Sequence, residues 1–190
     1  MRGQVHTLEA VVAALLLLTS VVFALQITAV TPLSASTSSQ HIENQQLASI
    51  EGVLASAVER DALEPAVLYW NESDEGFQNT TTRDYYTEGA PPNEFGEILE
   101  RQFGGRGLAY NVDVVYDNNG TVTEERMVYF GAPTDNAVTS SRTIMIQRNG
   151  TLYNHTGARS DTNLSASYLK DVGEGSVYTV VRVEVTVWRI

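Results

Sequence analysis

The sequence predicts an α+β protein in which a long N-terminal helix packs on an antiparallel β-sheet. Three observations predict this class. Residues 10–30 are apolar and uncharged, and residues 42–63 carry apolar side chains at helical spacing. In the C-terminal half, apolar and polar side chains alternate in segments that flank two Asn-Gly pairs. We therefore divide the chain into a leader (1–9), a transmembrane helix (10–30), an amphipathic helical extension (31–63) and an α+β domain (64–190).

The apolar stretch at residues 10–30 predicts a single membrane span. Its length matches the roughly 20 residues that a helix needs to cross the hydrocarbon of a bilayer. Arg2 is the only basic residue before it. Positive charge tends to stay on the cytoplasmic side, so we expect a cytoplasmic N terminus and an extracellular C-terminal domain. The single span would anchor the chain in the cell membrane.

The helical pattern resumes after Pro32, where the missing N–H and the crowded preceding turn predict a kink. The stripe beyond it predicts an amphipathic helix that ends near Leu63 and covers the apolar face of the sheet. The residues of this stripe are Ile42, Leu47, Ile50, Val53, Leu54, Ala57 and Val58.

The segment between this helix and the first strands predicts irregular structure and one short helix. Residues 64–92 mix aromatic residues with Asn, Thr, Asp and Gly. Residues 93–103 have the pattern of a helix, since Asn93 is a good N-cap and Gly104-Gly105 follow the last apolar position.

Two hairpins and one long final strand are predicted in the remaining chain. Asn119-Gly120 and Asn149-Gly150 are typical of two-residue hairpin turns, so we expect residues 110–116 to pair with 122–130, and 142–147 with 151–153. Residues 177–190 form the longest alternating, valine-rich segment, with Val181, Val183, Val185 and Val187 on one face. This composition predicts a central strand.

The charge of the chain excludes some partners. The formal net charge is -11, and all of it lies beyond residue 31 because Arg2 and Glu9 cancel before that point. Such a domain repels nucleic acid. Lys170 is the only lysine among 12 basic residues, and this acidic, lysine-poor composition indicates a halophilic protein or a GC-rich genome. The absence of cysteine excludes disulfides and thiolate chemistry.

No enzyme motif is present in the sequence. There is no G-x-S-x-G elbow and no P-loop, and no two of the three histidines have metal-ligand spacing. We therefore expect no catalytic residue, no metal and no cofactor, and an extracellular hydrolase is the third-ranked alternative.

Six N-x-[ST] sequons predict a glycoprotein exposed outside a cell. The Asn-Gly-Thr sequences at two of them are also good hairpin chemistry. We expect modification first at Asn71, Asn79 and Asn163. The six sequons begin at Asn71, Asn79, Asn119, Asn149, Asn154 and Asn163.

The N-terminal region resembles a type IV prepilin, and is most similar to pilin-like surface proteins of halophilic archaea. The matching residues are Arg2-Gly3, then Gln4, then Glu9 at the front edge of the apolar stretch. The resemblance implies that a prepilin peptidase cuts after Gly3. It also implies that Glu9 sets subunit register by pairing with the new N terminus of a neighbour. Glu9 would be the sixth mature residue, whereas typical pilins have Glu at the fifth.

The resemblance implies a structural subunit of a surface filament or secretion-type system. Its partners would be the membrane, other pilin-like subunits, the peptidase and an assembly platform. The alternative from another class is a membrane-tethered binding module that does not assemble and holds a ligand in the aromatic loop at residues 68–86. Two further alternatives concern the N terminus: Glu9 as an interfacial residue of a plain anchor, and a secretory signal peptide cut near residues 34–36.

Overall fold

The computed structural model describes the backbone of residues 2–190 and the side chains of residues 6–26 and 40–190. The first element is helix α1, Arg2–Glu59. Contacts divide the chain into two compact units, Met1–Ile42 and Glu43–Ile190. Gly3, Gln4 and Pro32 lie outside the residues whose side chains are described, so the cleavage site and the kink stay predictions.

Helix α1 ends at Glu59 and not near Leu63. The reason is a Schellman motif: the Ala62 N–H donates to the Ala57 carbonyl at 2.8 Å, and the Asp61 N–H donates to the Val58 carbonyl at 3.0 Å. Asp61 takes the left-handed conformation that this motif needs, with φ 51°. The predicted end is therefore wrong by about one turn, because Asp61 carries no glycine signal for the stop.

The segment expected to be irregular contains three short elements. Helix α2 is Leu63–Val67, and strands β1 (Trp70–Asn71) and β2 (Gly76–Phe77) pair antiparallel. Helix α3, Glu94–Phe103, confirms the predicted helix. The Asn93 side chain accepts a hydrogen bond from the Gly96 N–H at 3.0 Å, as an N-cap does.

The main sheet has four antiparallel strands, in the order β4-β3-β8-β5. The long final strand β8 is therefore central, as its composition predicts. A bulge at Tyr178 interrupts the pairing of β5 with β8. The four strands are β3 (Leu108–Asn118), β4 (Thr121–Tyr129), β5 (Val138–Gln147) and β8 (Val177–Arg189).

The first predicted hairpin is confirmed. Asn118 pairs with Thr121, and the two turn residues have φ 53° at Asn119 and 87° at Gly120. Positive φ at both central positions defines the type I′ turn, whose twist matches that of paired strands. Strands β3 and β4 are therefore joined by the turn that the Asn-Gly pair predicts.

The second predicted hairpin is wrong. Strand β5 pairs with β8, while β6 (Thr151–Tyr153) pairs with β7 (Arg159–Asn163) in a separate sheet. Asn149 and Gly150 are not among the described residues with positive φ. The cause lies next to the turn, where the Arg148 guanidinium donates to the Gly173, Gly175 and Val177 carbonyls at 3.0–3.1 Å. These bonds tie the end of β5 to the start of β8.

One hydrophobic core joins the C-terminal part of α1 to the main sheet. Ile50, Val53, Leu54 and Ala57 of α1 are all buried in the same cluster as the β8 valines 181, 183, 185 and 187. The amphipathic part of α1 therefore contributes to the same core as the apolar face of the sheet. Helix α3 and the 3-10 helix Leu164–Ala166 add Phe95, Leu99 and Leu164 to this core.

Candidate functional site

The N-terminal part of α1 is apolar and uncovered. The segment His6–Gln26 is 21 residues long, and none of it is buried. Its large side chains are 48% exposed at Val22 and up to 70% exposed at Leu8. By length and composition this one helix could cross a membrane. Residues 27–30 of the predicted span lie among the undescribed side chains.

Glu9 lies on this apolar helix, one turn after His6. The Glu9 Oε2 atom is 3.7 Å from His6 Nδ1, and both side chains are exposed. A charged pair between exposed side chains stabilises a protein by at most about 1 kcal/mol in water. The contact with His6 therefore holds the Glu9 carboxylate only weakly.

The aromatic loop at residues 68–86 is largely part of the core. Tyr69, Trp70, Phe77 and Tyr86 are all buried. The rings of Trp70 and Phe77 meet edge to face at 5.4 Å. Only Tyr85 is half-exposed, and its ring packs against that of Tyr129 at 6.0 Å. These contacts remove most of the aromatic surface that a ligand would use.

The six sequons differ in exposure. Asn79, Asn119, Asn149 and Asn163 are exposed, whereas Asn71 and Asn154 are half-buried. Of the three asparagines that we expect to be modified first, Asn79 and Asn163 are therefore exposed and Asn71 is half-buried. The sequence cannot rank them because side-chain burial depends on segments far apart in the chain.

A charged cluster that the sequence analysis missed lies on the outer face of the main sheet. Asp113 of β3 lies opposite Arg126 of β4 and Glu184 of β8. The Glu184 carboxylate pairs with Arg182 Nε at 2.6 Å. Burial, then the charges of Glu124 and Glu184, raise the pKa of Asp113 to about 7, while Arg126 acts to lower it. Only the strand register brings these residues together.

The described part of the chain offers open grooves and no metal centre. Within residues 6–26 and 40–190, no group of three or more His, Asp or Glu side chains could hold a metal ion. A groove of about 490 Å³ lies between α1 and α3. A Cβ atom added at Gly52, in the wall of this groove, would meet no atom within 4 Å. The groove is lined by Ala48, Ser49, Gly52, Val53, Ser56, Ile98, Arg101 and Gln102.

Comparison with known proteins identifies one family. No curated protein and no solved structure matches the chain. Residues 2–187 match a family described as a family of unknown function, DUF7288. The match covers the apolar helix together with nearly all of the α+β domain. The chain therefore belongs to the DUF7288 family.

Proposed function

We propose that this chain is a membrane-anchored, pilin-like structural subunit with an extracellular acidic domain, and that it assembles into a surface filament or a secretion-type system. The observation that supports this most directly is that the two parts of α1 have different surroundings. Its first part is an uncovered apolar segment, and its last part supplies Ile50, Leu54 and Ala57 to the domain core. The anchor is therefore continuous in sequence with the core of the domain that it carries.

The energetics of the apolar segment favour a partner over water. Exposed apolar surface costs about 25 cal/mol per Å² relative to burial. Lipid covers this surface in the membrane-stored subunit, and apolar helices of neighbouring subunits cover it in the filament. The same segment therefore anchors the subunit in the membrane and packs between subunits in the filament. The buried apolar area changes little between these two states.

Glu9 has the role of a register residue in this proposal. A carboxylate in the apolar segment is costly in lipid unless it is paired. Its contact with His6, at 3.7 Å, is weak, so the freed amino group of a neighbouring subunit, cut after Gly3, is the better partner. Pairing then sets the axial position of one helix against the next.

The experiment uses the full chain in its native cells. Glu9→Ala should leave the chain in the membrane fraction but remove it from the filament fraction sheared off the cell surface. His6→Ala is the matched control, since it removes the intrahelical partner and keeps the carboxylate, and it should assemble normally. Mass spectrometry of the mature chain should show Gln4 as the first residue.

Two results would contradict the proposal. If the Glu9→Ala chain reaches the sheared fraction as the unchanged chain does, Glu9 has no register role. If the mature chain retains Met1 and never leaves the membrane, the chain is a permanent anchor. Because the chain lacks cysteine, a single Leu16→Cys change gives an independent readout, as disulfide-linked dimers should form in filaments.

The alternative function, a tethered binding module, depends on an accessible aromatic loop. Four of the five aromatic side chains between residues 69 and 86 are buried in the domain. The burial of these rings supports the structural role over the binding role. A binding module would also stay monomeric, so the Leu16→Cys chain would give no cross-linked dimer.

A further inference from the structure

Three sequons present an exposed asparagine whose side chain is not held by the fold. Asn119 lies in the β3–β4 turn, Asn149 lies in the turn after β5, and Asn163 is the last residue of β7. Within residues 40–190, none of these three side chains forms a hydrogen bond to the protein. The hydroxyl residue two positions on is exposed at Thr121 and Ser165, and half-exposed at Thr151.

Two of these residues, Asn119 and Asn149, follow strands that end at the same end of the main sheet, and the third lies in the small sheet. Tyr116 of β3 pairs with Val181 of β8, which sets the Asn119 turn level with Val177 at the start of β8. Gln147 of β5 also pairs with Val177, so the Asn149 turn begins at that same end. In the small sheet, Asn163 pairs with Thr151. The Asn119 and Asn149 turns therefore lie at the same end of the main sheet, and Asn163 lies opposite the residue that closes the Asn149 sequon.

Asn79 is, by contrast, a structural residue. Its Nδ2 atom donates to the Tyr69 hydroxyl at 2.7 Å and to the His155 carbonyl at 2.9 Å. The Tyr69 hydroxyl itself donates to the His155 carbonyl at 2.8 Å. This triangle joins the loop after β2 to the β6–β7 turn. The nitrogen that a glycan would occupy is therefore already used in two hydrogen bonds, although the Asn79 residue is exposed.

Asn71 and Asn154 are also held by their own turns. Asn71 Nδ2 donates to Asp74 Oδ2 at 2.6 Å, and its Oδ1 accepts from the Ser73 N–H. Asn154 Oδ1 accepts from the Thr156 hydroxyl at 2.7 Å and from the Ala158 N–H at 3.2 Å. In the second case the bond engages the hydroxyl that is itself part of the sequon.

We propose that N-linked glycosylation of the folded chain takes place on Asn119, Asn149 and Asn163, and that the other three sequons serve the fold. The proposal rests on the extracellular placement of the domain in the proposed function. It assigns two of the glycans to turns at one end of the main sheet and the third to the end of β7, and it assigns none to the strand positions around Asp113.

The chemistry needs a donor and an accessible amide nitrogen. A membrane-bound transferase would supply a saccharide carried on a lipid phosphate. A bond forms between Asn Nδ2 and the anomeric carbon of the saccharide, and the bond from that carbon to the phosphate oxygen breaks. The amide loses one proton to a base of the transferase, and the lipid phosphate leaves. An Nδ2 atom bound to Tyr69 and His155 must first break both contacts.

The test is site-by-site mass spectrometry of the full chain purified from cells that glycosylate it. A flexible C-terminal tag that carries one extra sequon reports on the transferase, and cells are chosen in which this tag is modified. Asn119→Gln, Asn149→Gln and Asn163→Gln should each remove one glycan mass from the intact chain. Asn79→Gln should leave the mass of attached glycan unchanged and lower the melting temperature.

Two results would overturn the inference: a modified tag with Asn119, Asn149 and Asn163 unmodified, or modification of Asn79 as complete as at these three. The second result would mean that transfer precedes folding. Failure of the proposed function is distinguishable, because the glutamine changes lie outside α1. Filaments built from unglycosylated chains would contradict this inference alone, whereas glycosylated chains that never assemble would contradict the filament role alone.

Discussion

Thr179 of β8 is the place where one substitution should most clearly stabilise the domain. Its side chain is 0% exposed, and its Oγ1 atom has no hydrogen-bond partner among the described residues. A buried hydroxyl left unpaired costs about 1–3 kcal/mol. Valine has nearly the same shape and no polar atom, so Thr179→Val should raise the free energy of unfolding by about 1–2 kcal/mol.

Urea and thermal unfolding of the full chain in detergent, followed by circular dichroism, measure this change. For a domain of this size, each kcal/mol corresponds to about 2–4 °C in melting temperature. Thr186→Val on the same strand is the matched control, because the Thr186 hydroxyl already bonds the Thr139 hydroxyl at 2.7 Å. It should be neutral or lose up to about 1 kcal/mol.

If Thr179→Val lowers stability, or if the two valine variants change stability equally, the Thr179 hydroxyl is not a destabilising unpaired group. Thr179→Ser adds a third comparison, since it keeps the hydroxyl and removes only the methyl group. It should lose about 1 kcal/mol through the lost methyl burial, with no gain from the polar atom.

Three further changes test other parts of the domain. Asp61→Gly, at the end of α1, should raise the free energy of unfolding by up to about 1 kcal/mol because glycine adopts positive φ without a Cβ clash; an equal loss in urea titration would contradict the Schellman motif. Asn111→Ala should lower the free energy of unfolding by about 2–3 kcal/mol. The buried Asn111 amide donates to the Gly131 carbonyl at 3.0 Å and accepts from the Phe130 N–H at 2.9 Å. Asn111→Asp keeps the acceptor but loses the donor, so it should also destabilise the domain in urea titration. Asp113 has a pKa raised from 3.8 to about 7 in the folded chain, so the folded state binds the proton more tightly and stability falls as pH rises from about 4 to about 7. Asp113→Asn should flatten this pH dependence of the melting temperature and stabilise the domain above pH 7, and an unchanged profile would show that Asp113 is not its source.

The two Asn-Gly-Thr sequences show how far local pattern predicts this fold. At Asn119 the pair forms the type I′ turn that the sequence predicts. At Asn149 the same three residues join two different sheets. The flanking contacts differ: the Asp117 carboxylate accepts from the Gly120 N–H at the first turn, whereas Arg148 at the second turn binds the loop before β8. Those partners lie about 25 residues away in the chain and carry no local signal.

Some features of the candidate site can also be predicted from local sequence, and others cannot. The apolar segment His6–Gln26 and Glu9 within it are visible in the sequence, because membrane-spanning length and a single carboxylate are local properties. The ranking of the sequons is not visible in the sequence, because Asn79 forms hydrogen bonds with Tyr69 and His155, which lie in other segments. The cluster around Asp113 also needs the register of three strands.

Local sequence patterns are sufficient to predict the α+β class, the apolar helix, helix α3, the first hairpin and the central place of β8. Each of these depends on periodicity, capping or turn chemistry within a few residues. Long-range contacts, by contrast, set the strand that β5 pairs with, the aromatic side chains that are buried and the asparagine side chains that are accessible. These follow from packing and hydrogen bonds between residues far apart in the chain, whose pairing no local pattern encodes.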